Sequence, residues 1–186
     1  MAKVQKSGGL VREILHEAAE QQLDSMGDRL PRCCVRPPFA ITEVDFLRSC
    51  SRCAACLHAC SYHILHLLPV RCGFLRSGTP AMELCQQGCH LCEGWPCVAA
   101  CDTGALKMPA ANELPKLGFL MVSPQQCLAS VTEDCHACIE ACPVDAAISR
   151  GTDGKPLINE EYCPGCGLCL EACVADPKAI DVQFVA

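Results

Sequence analysis

Aromatic side chains are scarce in this chain. Phe, Trp and Tyr together make up 4% of its 186 residues, and the 51% counted as hydrophobic includes twenty cysteines. Large aromatic side chains normally contribute much of the buried area in a protein core. The composition therefore argues against an ordinary large hydrophobic core, and the length allows either one domain or two small ones.

Signals for membrane insertion and for export are also missing. Residues 53–70 form a run of eighteen residues without Lys, Arg, Asp or Glu, a length close to that of a transmembrane helix. This run contains three cysteines, three histidines and a proline, so it predicts a loop and a short strand and no transmembrane segment. The amino-terminal residues show neither a twin-arginine pair nor an apolar signal core, and we expect a cytoplasmic location.

No pattern of residues points to catalysis. The sequence has no nucleophile paired with a base and no glycine-rich phosphate loop that opens a helix, so it offers no candidate catalytic residue. Its formal net charge of −6 disfavours nucleic acid as a partner. We predict a protein that is not an enzyme, with a protein partner that presents a basic docking surface.

Cysteine is the residue that the chain has in excess. Sixteen of the twenty cysteines lie in four short runs, each of which ends with two cysteines separated by three residues. In order, the runs are Cys50, Cys53, Cys56 and Cys60; Cys89, Cys92, Cys97 and Cys101; Cys127, Cys135, Cys138 and Cys142; and Cys163, Cys166, Cys169 and Cys173. Three closely spaced thiolates and a fourth form the pattern that binds a 4Fe-4S cluster. We predict that the sixteen cysteines ligate four such clusters.

The spacing has a geometric reason. Two residues between ligands let a tight loop surround one side of a cubic cluster, with backbone N–H groups directed at its sulfur atoms. The last cysteine of each run lies about one helical turn beyond the third. In bacterial two-cluster ferredoxins the corresponding cysteine ligates the other cluster. Two runs would then form one cooperative unit, and we expect the chain without iron to be largely unfolded.

Two other uses of the cysteines are disfavoured. Disulfide frameworks belong to short secreted chains, and no signal sequence is visible here. Structural zinc uses separated pairs of cysteines, often with histidine ligands, whereas triplets dominate this sequence.

With bound clusters, the net charge of the protein would be roughly −14, because each oxidised cluster with its four thiolates contributes about −2.

The first 43 residues precede the cysteine runs. Residues 8–27 show apolar side chains at helical spacing opposite acidic ones, after a serine that can cap the helix and before a final glycine. We therefore predict an amphipathic helix in residues 1–27. It either packs on its own domain, which is the favoured alternative, or docks into a partner. Residues 28–43 include two consecutive prolines and are predicted to form a proline-rich strap.

From residue 44 the chain repeats itself at intervals of about 36 to 39 residues. Each run is followed by a short apolar pair that we predict to lie in a strand: Ile64 and Leu65, Ala105 and Leu106, Ala147 and Ile148, and Ala179 and Ile180. Residues 151–154 are rich in turn formers and predict a hairpin between residues 147–149 and 157–158. A second hairpin is expected to join residues 106–108 to 119–122. Short hairpins beside cluster loops indicate an α+β fold for residues 44–186.

Several stretches match a known family. They are Arg36-Pro37-Pro38, Phe46-Leu47, Cys50-Ser51-Arg52-Cys53, Cys89 to Cys92 with Glu93, Pro96-Cys97-Val98, Thr103-Gly104-Ala105-Leu106, the gap of seven residues between Cys127 and Cys135, and Cys163-Pro164-Gly165-Cys166-Gly167. With these residues the chain resembles the four-cluster ferredoxin-type accessory proteins of periplasmic nitrate reductase systems, of the NapF, NapG and MauM types. More distantly it is similar to the iron–sulfur subunits of the dimethyl sulfoxide reductase class. The gap of four residues before Cys97 resembles NapG and MauM, whereas the missing export signal resembles NapF.

The resemblance also implies how the runs pair. It implies two interleaved bacterial ferredoxin-like two-cluster modules, an outer one of residues 44–84 with 151–186 and an inner one of residues 85–150. The first run then pairs with the fourth, and the second with the third. The implied ligand sets are Cys50, Cys53, Cys56 and Cys173; Cys163, Cys166, Cys169 and Cys60; Cys89, Cys92, Cys97 and Cys142; and Cys127, Cys135, Cys138 and Cys101.

Electron transfer is the function that these observations predict. Four fully ligated redox centres without a catalytic constellation suit a protein that relays single electrons to or from an oxidoreductase partner. That partner can be a molybdenum enzyme, and it can be membrane-bound. The alternative function is cytoplasmic maturation or assembly of a molybdenum-dependent, nitrate-reductase-like enzyme before its export.

Seven further residues near the runs need an interpretation. Four cysteines lie outside the runs: Cys33, Cys34, Cys72 and Cys85. Cys85 is either an alternative ligand or, as we favour, a spare thiol, and Cys33 and Cys34 are either a strained redox pair or, as we favour, two reduced thiols. His90, Trp95 and His136 lie beside ligands, where we expect loop packing or a hydrogen bond near the cluster rather than catalysis.

Overall fold

A computed structural model describes Leu30 and residues 34–111, 113–132 and 134–184. Short strands and helices alternate along these residues: β1 (Cys34–Val35), α1 (Glu43–Ser49), α2 (Ala55–Ala59), β2 (Leu65–Leu67), a 3-10 turn (Val70–Cys72), β3 (Pro80–Glu83), α3 (Pro96–Ala99), β4 (Gly118–Val122), α4 (Ala129–Thr132), α5 (Ala137–Glu140), β5 (Ile148–Arg150), β6 (Pro156–Ile158), α6 (Leu168–Ala172) and β7 (Ile180–Phe184). The fold is α+β, as predicted. The helix predicted in residues 1–27 lies outside the described residues. Across the part of the chain that the structure describes, no helix has the length and apolar character needed to span a bilayer.

The strands form three small antiparallel sheets. In the first sheet β3 lies between β1 and β2, with Leu65 opposite Met82. In the second, β4 pairs with β7, and the buried side chains of Leu120 and Val182 lie opposite each other. The third sheet is the β5–β6 hairpin. Each sheet lies next to helices that follow or precede cysteine ligands, so the sheets position the cysteine loops.

One of the two predicted hairpins is present. β5 and β6 pair on either side of residues 151–154, which confirms the prediction from the turn-forming residues. The prediction of a second hairpin, between residues 106–108 and 119–122, is wrong. Leu106 makes one isolated bridge, to Ala40, and β4 pairs with β7 instead. Two prolines lie in the connection between the two segments, and proline cannot donate to a strand ladder.

Buried side chains group into two main clusters, the first formed by residues between 35 and 117 together with Cys166, and the second by residues between 120 and 182. The first includes Phe46, Met82 and Leu84, which are at most 1% exposed, and the second includes Leu170 and Ile180. Cysteines of the runs belong to both clusters. The ligand loops are therefore part of the core rather than attachments to it.

A buried ion-pair network fixes the first half. The Arg36 guanidinium donates hydrogen bonds to the Glu43 carboxylate at 2.7 and 2.8 Å, to Thr79 Oγ1 at 2.8 Å and to the Pro80 carbonyl at 2.9 Å. Arg76 donates to the same carboxylate at 2.7 Å. Burial opposes ionisation of Glu43, but the hydrogen bonds and charges of the two arginines outweigh it and hold the pKa of Glu43 below its ordinary value. The network joins the chain before α1 to α1 and β3.

Candidate metal centres

The first cysteine run forms a tight loop that leads into α2. Arg52 and Ala54 adopt left-handed φ angles of 59° and 60°, which turn the chain sharply within the run. The backbone N–H of Ala55 donates a hydrogen bond to the Cys53 thiol, and this bond is the main reason that the pKa of Cys53 is lowered. Cys53 is exposed, whereas Cys56 is buried and burial raises its pKa to about 11.

Backbone N–H groups reach thiols in the other runs as well. Cys89 accepts such a bond from Leu91, and Cys166 accepts one from Leu168. Burial is the largest influence on both thiols, and it raises the pKa of Cys89 to about 12 and that of Cys166 to about 11. Such thiols ionise only when a metal displaces the proton. The N–H groups then remain in place as hydrogen-bond donors to sulfur, as the spacing predicted.

The first two runs meet where α2 packs against α3. Cys101 lies close enough to Cys53 and Cys56 to oppose ionisation of their thiols. Cys60 has the same effect on Cys92 and Cys97. Two groups of four cysteines result: site 1, formed by Cys50, Cys53, Cys56 and Cys101, and site 2, formed by Cys89, Cys92, Cys97 and Cys60.

The last two runs meet in the same way, where α5 packs against α6. Cys173 raises the pKa of Cys138, and Cys142 raises the pKa of the thiols of Cys166 and Cys169. This gives site 3, formed by Cys127, Cys135, Cys138 and Cys173, and site 4, formed by Cys163, Cys166, Cys169 and Cys142. Each predicted ligand thus belongs to one of these candidate sets of four, although no three His, Cys, Asp or Glu side chains of the described residues lie close enough to hold a single metal ion.

Two of these sites enclose a cavity. All four cysteines of site 2 line one cavity, and all four cysteines of site 3 line another. Each is a small space of ≈ 20 Å³ between the side chains. The other lining residues are mainly apolar, among them Met82 at site 2 and Ile180 at site 3. Four soft thiolates around an apolar chamber are a donor set that fits an iron–sulfur cube.

The ligand pairing that the resemblance implied is wrong in this structure. The first run shares sites with the second and the third with the fourth, so the modules are consecutive along the chain rather than interleaved. The fourth cysteine of the first run illustrates the correction, because Cys60 lines the cavity of Cys89, Cys92 and Cys97. The packing of α2 on α3 and of α5 on α6 decides the pairing, and each connection is short enough to bring consecutive runs together.

The four sites follow one another through the molecule in the order 1, 2, 4, 3. The neighbouring pairs are Cys56 and Cys97 between sites 1 and 2, Cys89 and Cys166 between sites 2 and 4, and Cys169 and Cys138 between sites 4 and 3. Between sites 2 and 4 the backbones touch, since the N–H of Cys89 donates to the carbonyl of Cys166 at 2.7 Å. Sites 1 and 3 therefore lie at the two ends of the series.

Aromatic rings flank site 2. Tyr62 and His90 both line its cavity, and their rings stack at 3.5 Å between centroids and 5° between planes. Trp95 also lines it and packs edge-on against Phe39 at 4.9 Å. Packing is thus the role of His90 and Trp95, as expected. The sequence analysis missed Tyr62, for which its position two residues after a ligand in an aromatic-poor chain was the available signal.

His136 is the third residue for which loop packing or a hydrogen bond was expected, and its contacts are of the second kind. Its Nδ1 lies 2.7 Å from the carbonyl of Asp134, and its Nε2 lies 3.1 Å from the carboxylate of Glu140. Its ring is half exposed. These contacts hold the start of α5, which contains Cys138.

The cysteines outside the runs differ from one another. Cys34 and Cys72 are free, buried and packed in one small cluster with Leu68, and burial raises the pKa of Cys34. Cys85 is disulfide-bonded, so the expectation of a spare thiol there is wrong. Cys33 lies outside the described residues.

Comparison with known proteins agrees with this geometry. A family model for a 4Fe-4S dicluster domain matches residues 119–174, a stretch that contains all eight cysteines of sites 3 and 4. Because this model describes two clusters in one continuous stretch, it supports pairing of the third run with the fourth. No solved structure matches the chain.

Three curated relatives show where the chain belongs. The ferredoxin-type protein NapG of Escherichia coli is 34% identical over 96% of this chain and 81% of its own length. The methylamine utilization ferredoxin-type protein MauM of Paracoccus denitrificans is 34% identical over 80% of this chain and 70% of its own length. The ferredoxin-type protein NapF of Escherichia coli is 31% identical over 81% of this chain and 85% of its own length. With four-cysteine sites and relatives of this similarity, the chain belongs to the ferredoxin-type proteins of the NapG, MauM and NapF kind, which are 4Fe-4S electron carriers and not themselves enzymes.

Proposed function

We propose that the chain binds four 4Fe-4S clusters, one at each of sites 1 to 4, and relays single electrons between a reduced donor and an oxidoreductase partner. When bound, each cluster accepts or releases one electron. The chain supplies sixteen thiolates, backbone N–H donors to sulfur, and apolar walls. We also propose that each half is a bacterial ferredoxin-like two-cluster module, and that the protein works in the cytoplasm.

The sharing of ligands between runs is the observation that supports this proposal best. At sites 2 and 3, three cysteines of one run and one cysteine of a neighbouring run surround a common apolar cavity. A disulfide framework would pair these thiols, whereas all sixteen are free. Ligand sharing fixes each site relative to its neighbour, which is what a relay of electrons between neighbouring centres needs.

The series of sites suggests where partners approach. Sites 2 and 4 lie in the middle of the series. The electron donor would therefore approach one end, site 1 or site 3, and the acceptor would approach the other end. The name of the MauM relatives refers to methylamine utilization, and we propose that this chain likewise serves a dedicated oxidoreductase system. No feature of the described residues favours the alternative role in enzyme maturation.

Iron analysis of anaerobically purified protein tests the cluster count. We expect about sixteen irons and sixteen sulfides per chain, since each of four sites binds a cube. Electron paramagnetic resonance of the reduced protein should show interacting clusters. Zinc in place of iron, or a stable compact protein without iron, would refute the proposal.

Paired substitutions test the assignment of ligands. Cys173→Ser and Cys138→Ser should weaken the same cluster signal, because both residues belong to site 3. Cys53→Ser should weaken a different signal, that of site 1. If Cys173→Ser instead reproduces the spectrum of Cys53→Ser, the interleaved pairing is correct and the site assignments given above are wrong.

A further inference from the structure

One segment of this acidic chain has no acidic residue. Residues 46–82 contain four arginines and neither Asp nor Glu, so with neutral histidines this segment has a charge of +4. The rest of the chain must then have a charge of −10 to give the total of −6. All residues of the segment lie in the described part, around site 1 and the first sheet. Two of these arginines are balanced by acids just before the segment, because Arg76 forms an ion pair with Glu43 and Arg48 lies 4.0 Å from Asp45. The positive charge that remains exposed is that of Arg52 and Arg71.

The same segment exposes large apolar side chains on one loop. Residues 69–78, which we term the 69–78 loop, connect β2 to β3. Val70 is 70% exposed, Phe74 85% and Leu75 45%, and Arg71 lies among them and is also exposed. Exposed apolar groups of this size gathered on one loop typically mark an interaction site. Arg and aromatic residues together are the side chains most enriched where protein partners bind tightly.

The loop is held rigidly beside site 1. Arg52, which lies between two site 1 cysteines, donates hydrogen bonds to the carbonyls of Leu75 at 2.8 Å and Ser77 at 3.0 Å. At the other side of the loop, buried Arg76 forms an ion pair with Glu43 of α1 at 2.7 Å. Its base is closed by the backbone bond from Gly78 N–H to the Leu68 carbonyl at 2.8 Å. The exposed apolar residues thus have a fixed position relative to the ligand loop.

Site 1 also contains the most accessible ligand of the two sites in this half. Cys53 is exposed, whereas Cys50 and Cys101 are half-buried and Cys56 is buried. A partner that covers the 69–78 loop would come against the Arg52 and Cys53 turn. Exposed apolar side chains, exposed arginines and an accessible ligand are therefore neighbours, because the hydrogen bonds of Arg52 join the Cys53 turn to the 69–78 loop.

We propose that this face, formed by the 69–78 loop with Arg52 and Cys53, is the docking surface for a protein redox partner whose own contact surface has an acidic rim around an apolar pocket for Phe74. The proposal rests on the electron-transfer function proposed above and assigns a partner chemistry to site 1. It also differs from the expectation of a basic partner surface from net charge alone, because the exposed charged side chains of this face, Arg52 and Arg71, are positive. An anionic bilayer fits less well, since the whole chain has a net charge of −6 and an anionic surface would repel it.

A pair of matched double variants tests the surface. The test variant combines Arg71→Glu with Phe74→Ser. The control combines Arg150→Glu with Leu157→Ser, which are an exposed arginine and a 57% exposed leucine on the β5–β6 hairpin. None of the four residues is a ligand. Both variants should retain the full iron content and the wild-type paramagnetic spectrum. A purified wild-type protein without iron would refute the proposed function, which is a different outcome from failure of the docking surface.

Charged redox probes report the electrostatic part. We expect oxidation of the reduced protein by ferricyanide at low ionic strength to slow by roughly threefold or more in the test variant, and oxidation by hexaamminecobalt(III) to accelerate. The control should leave both rates unchanged, and salt should abolish the difference. Equal rates in the test and control variants would overturn the proposal.

A photoreactive phenylalanine analogue at Phe74 identifies the occupant in cells. The supporting result is a crosslink to a protein that contains its own redox centre, accepts or donates electrons with the purified chain, and is no longer captured when Arg71→Glu is added. Crosslinks only within the chain or to a second copy would overturn the proposal. So would binding of the wild type, but not of the test variant, to phosphatidylglycerol vesicles, because the face would then be a membrane contact.

Discussion

Glu43 shows how a single carboxylate organises the first half of the molecule. It is the shared partner of Arg36 and Arg76, and all three side chains are largely buried. Glu43→Gln keeps the size of the side chain but leaves two buried guanidinium groups without a counter-charge, so the free energy of unfolding should fall by about 3 kcal/mol at pH 7. Urea unfolding of the anaerobically prepared protein measures this change in the free energy of unfolding. Glu161→Gln, at an exposed position, is the control and should stay within about 0.5 kcal/mol of wild type.

The same pair of variants should differ in their pH dependence. The pKa of Glu43 is lower in the folded protein than its ordinary value. Its stabilising effect is therefore fully present above the ordinary pKa and is lost as the pH falls through the lowered one. Wild type and Glu161→Gln should lose this stability on acidification, whereas Glu43→Gln should lack that loss. Parallel acid profiles for all three proteins would show that the network does not stabilise the fold through ionised Glu43.

Tyr62 offers a second test at the scale of a residue. Its ring stacks on His90 at the wall of the site 2 cavity and is 44% exposed. Tyr62→Ala should open this wall to solvent and oxidants, so iron should be lost in air several-fold faster from one site of the four. Phe119→Ala, which removes a ring that is 45% exposed on β4, provides the control. Absorbance of the clusters follows the loss of iron in air. Equal rates of iron loss from both variants would count against a protective role of Tyr62.

At the scale of the elements, local signals in the sequence predicted more than pairing between distant segments. The turn formers at residues 151–154 placed the β5–β6 hairpin correctly, and the apolar pairs after three of the four runs lie in or beside strands. The predicted partner of β4 was wrong, because the alternation of buried and exposed side chains along β4 fits β7 as well as any other strand. The pairing of cysteine runs was wrong for a similar reason, since every run ends with the same gap of three residues and this common ending is compatible with several pairings. The packing of α2 on α3 and of α5 on α6 decides it.

Gly165 joins a cysteine loop to a strand by close backbone contact. Its φ is +72°, and a Cβ there would overlap the carbonyl oxygen of Gly118 at the start of β4. Gly165→Ala should therefore disturb both β4 and site 4, with loss of that cluster. Gly154→Ala is the control, because its φ is +80° but its Cβ would meet nothing closer than 3.8 Å. It should show only the cost of the left-handed conformation, about 1 kcal/mol. Equal iron content in both variants would argue against the contact.

At the scale of the whole molecule, the segment without acidic residues shows what sequence and structure each contribute. The absence of Asp and Glu from residues 46–82 is visible in the sequence. Its meaning depends on the fold, because the hydrogen bonds of Arg52 place the exposed 69–78 loop beside site 1. Net charge alone pointed to a basic partner surface, whereas the exposed Arg52 and Arg71 beside site 1 are the basis of our proposal of an acidic one.

The contact between sites 2 and 4 joins the two halves and should control electron passage between them. Beside the bond from Cys89 to Cys166, the N–H of Gly88 donates to the Glu171 carboxylate at 2.8 Å, and a Cβ at Gly88 would lie 2.6 Å from the backbone nitrogen of Leu168. Gly88→Ala should push the halves apart while each keeps its own clusters. The iron content should then stay near wild type, but magnetic coupling between the central clusters should weaken and electron passage between sites 1 and 3 should slow.

A control at Gly151 separates this effect from the general cost of replacing glycine. The three atoms nearest to a Cβ at Gly151 would be side-chain atoms, and the nearest of them, Asp153 Oδ1 at 3.0 Å, can move aside. Gly151→Ala should therefore leave both the spectrum and the rate unchanged. Stopped-flow reduction with paramagnetic resonance of freeze-quenched samples follows each cluster in turn. If Gly88→Ala passes electrons from one half to the other as fast as Gly151→Ala does, the series 1, 2, 4, 3 is not the route that electrons take.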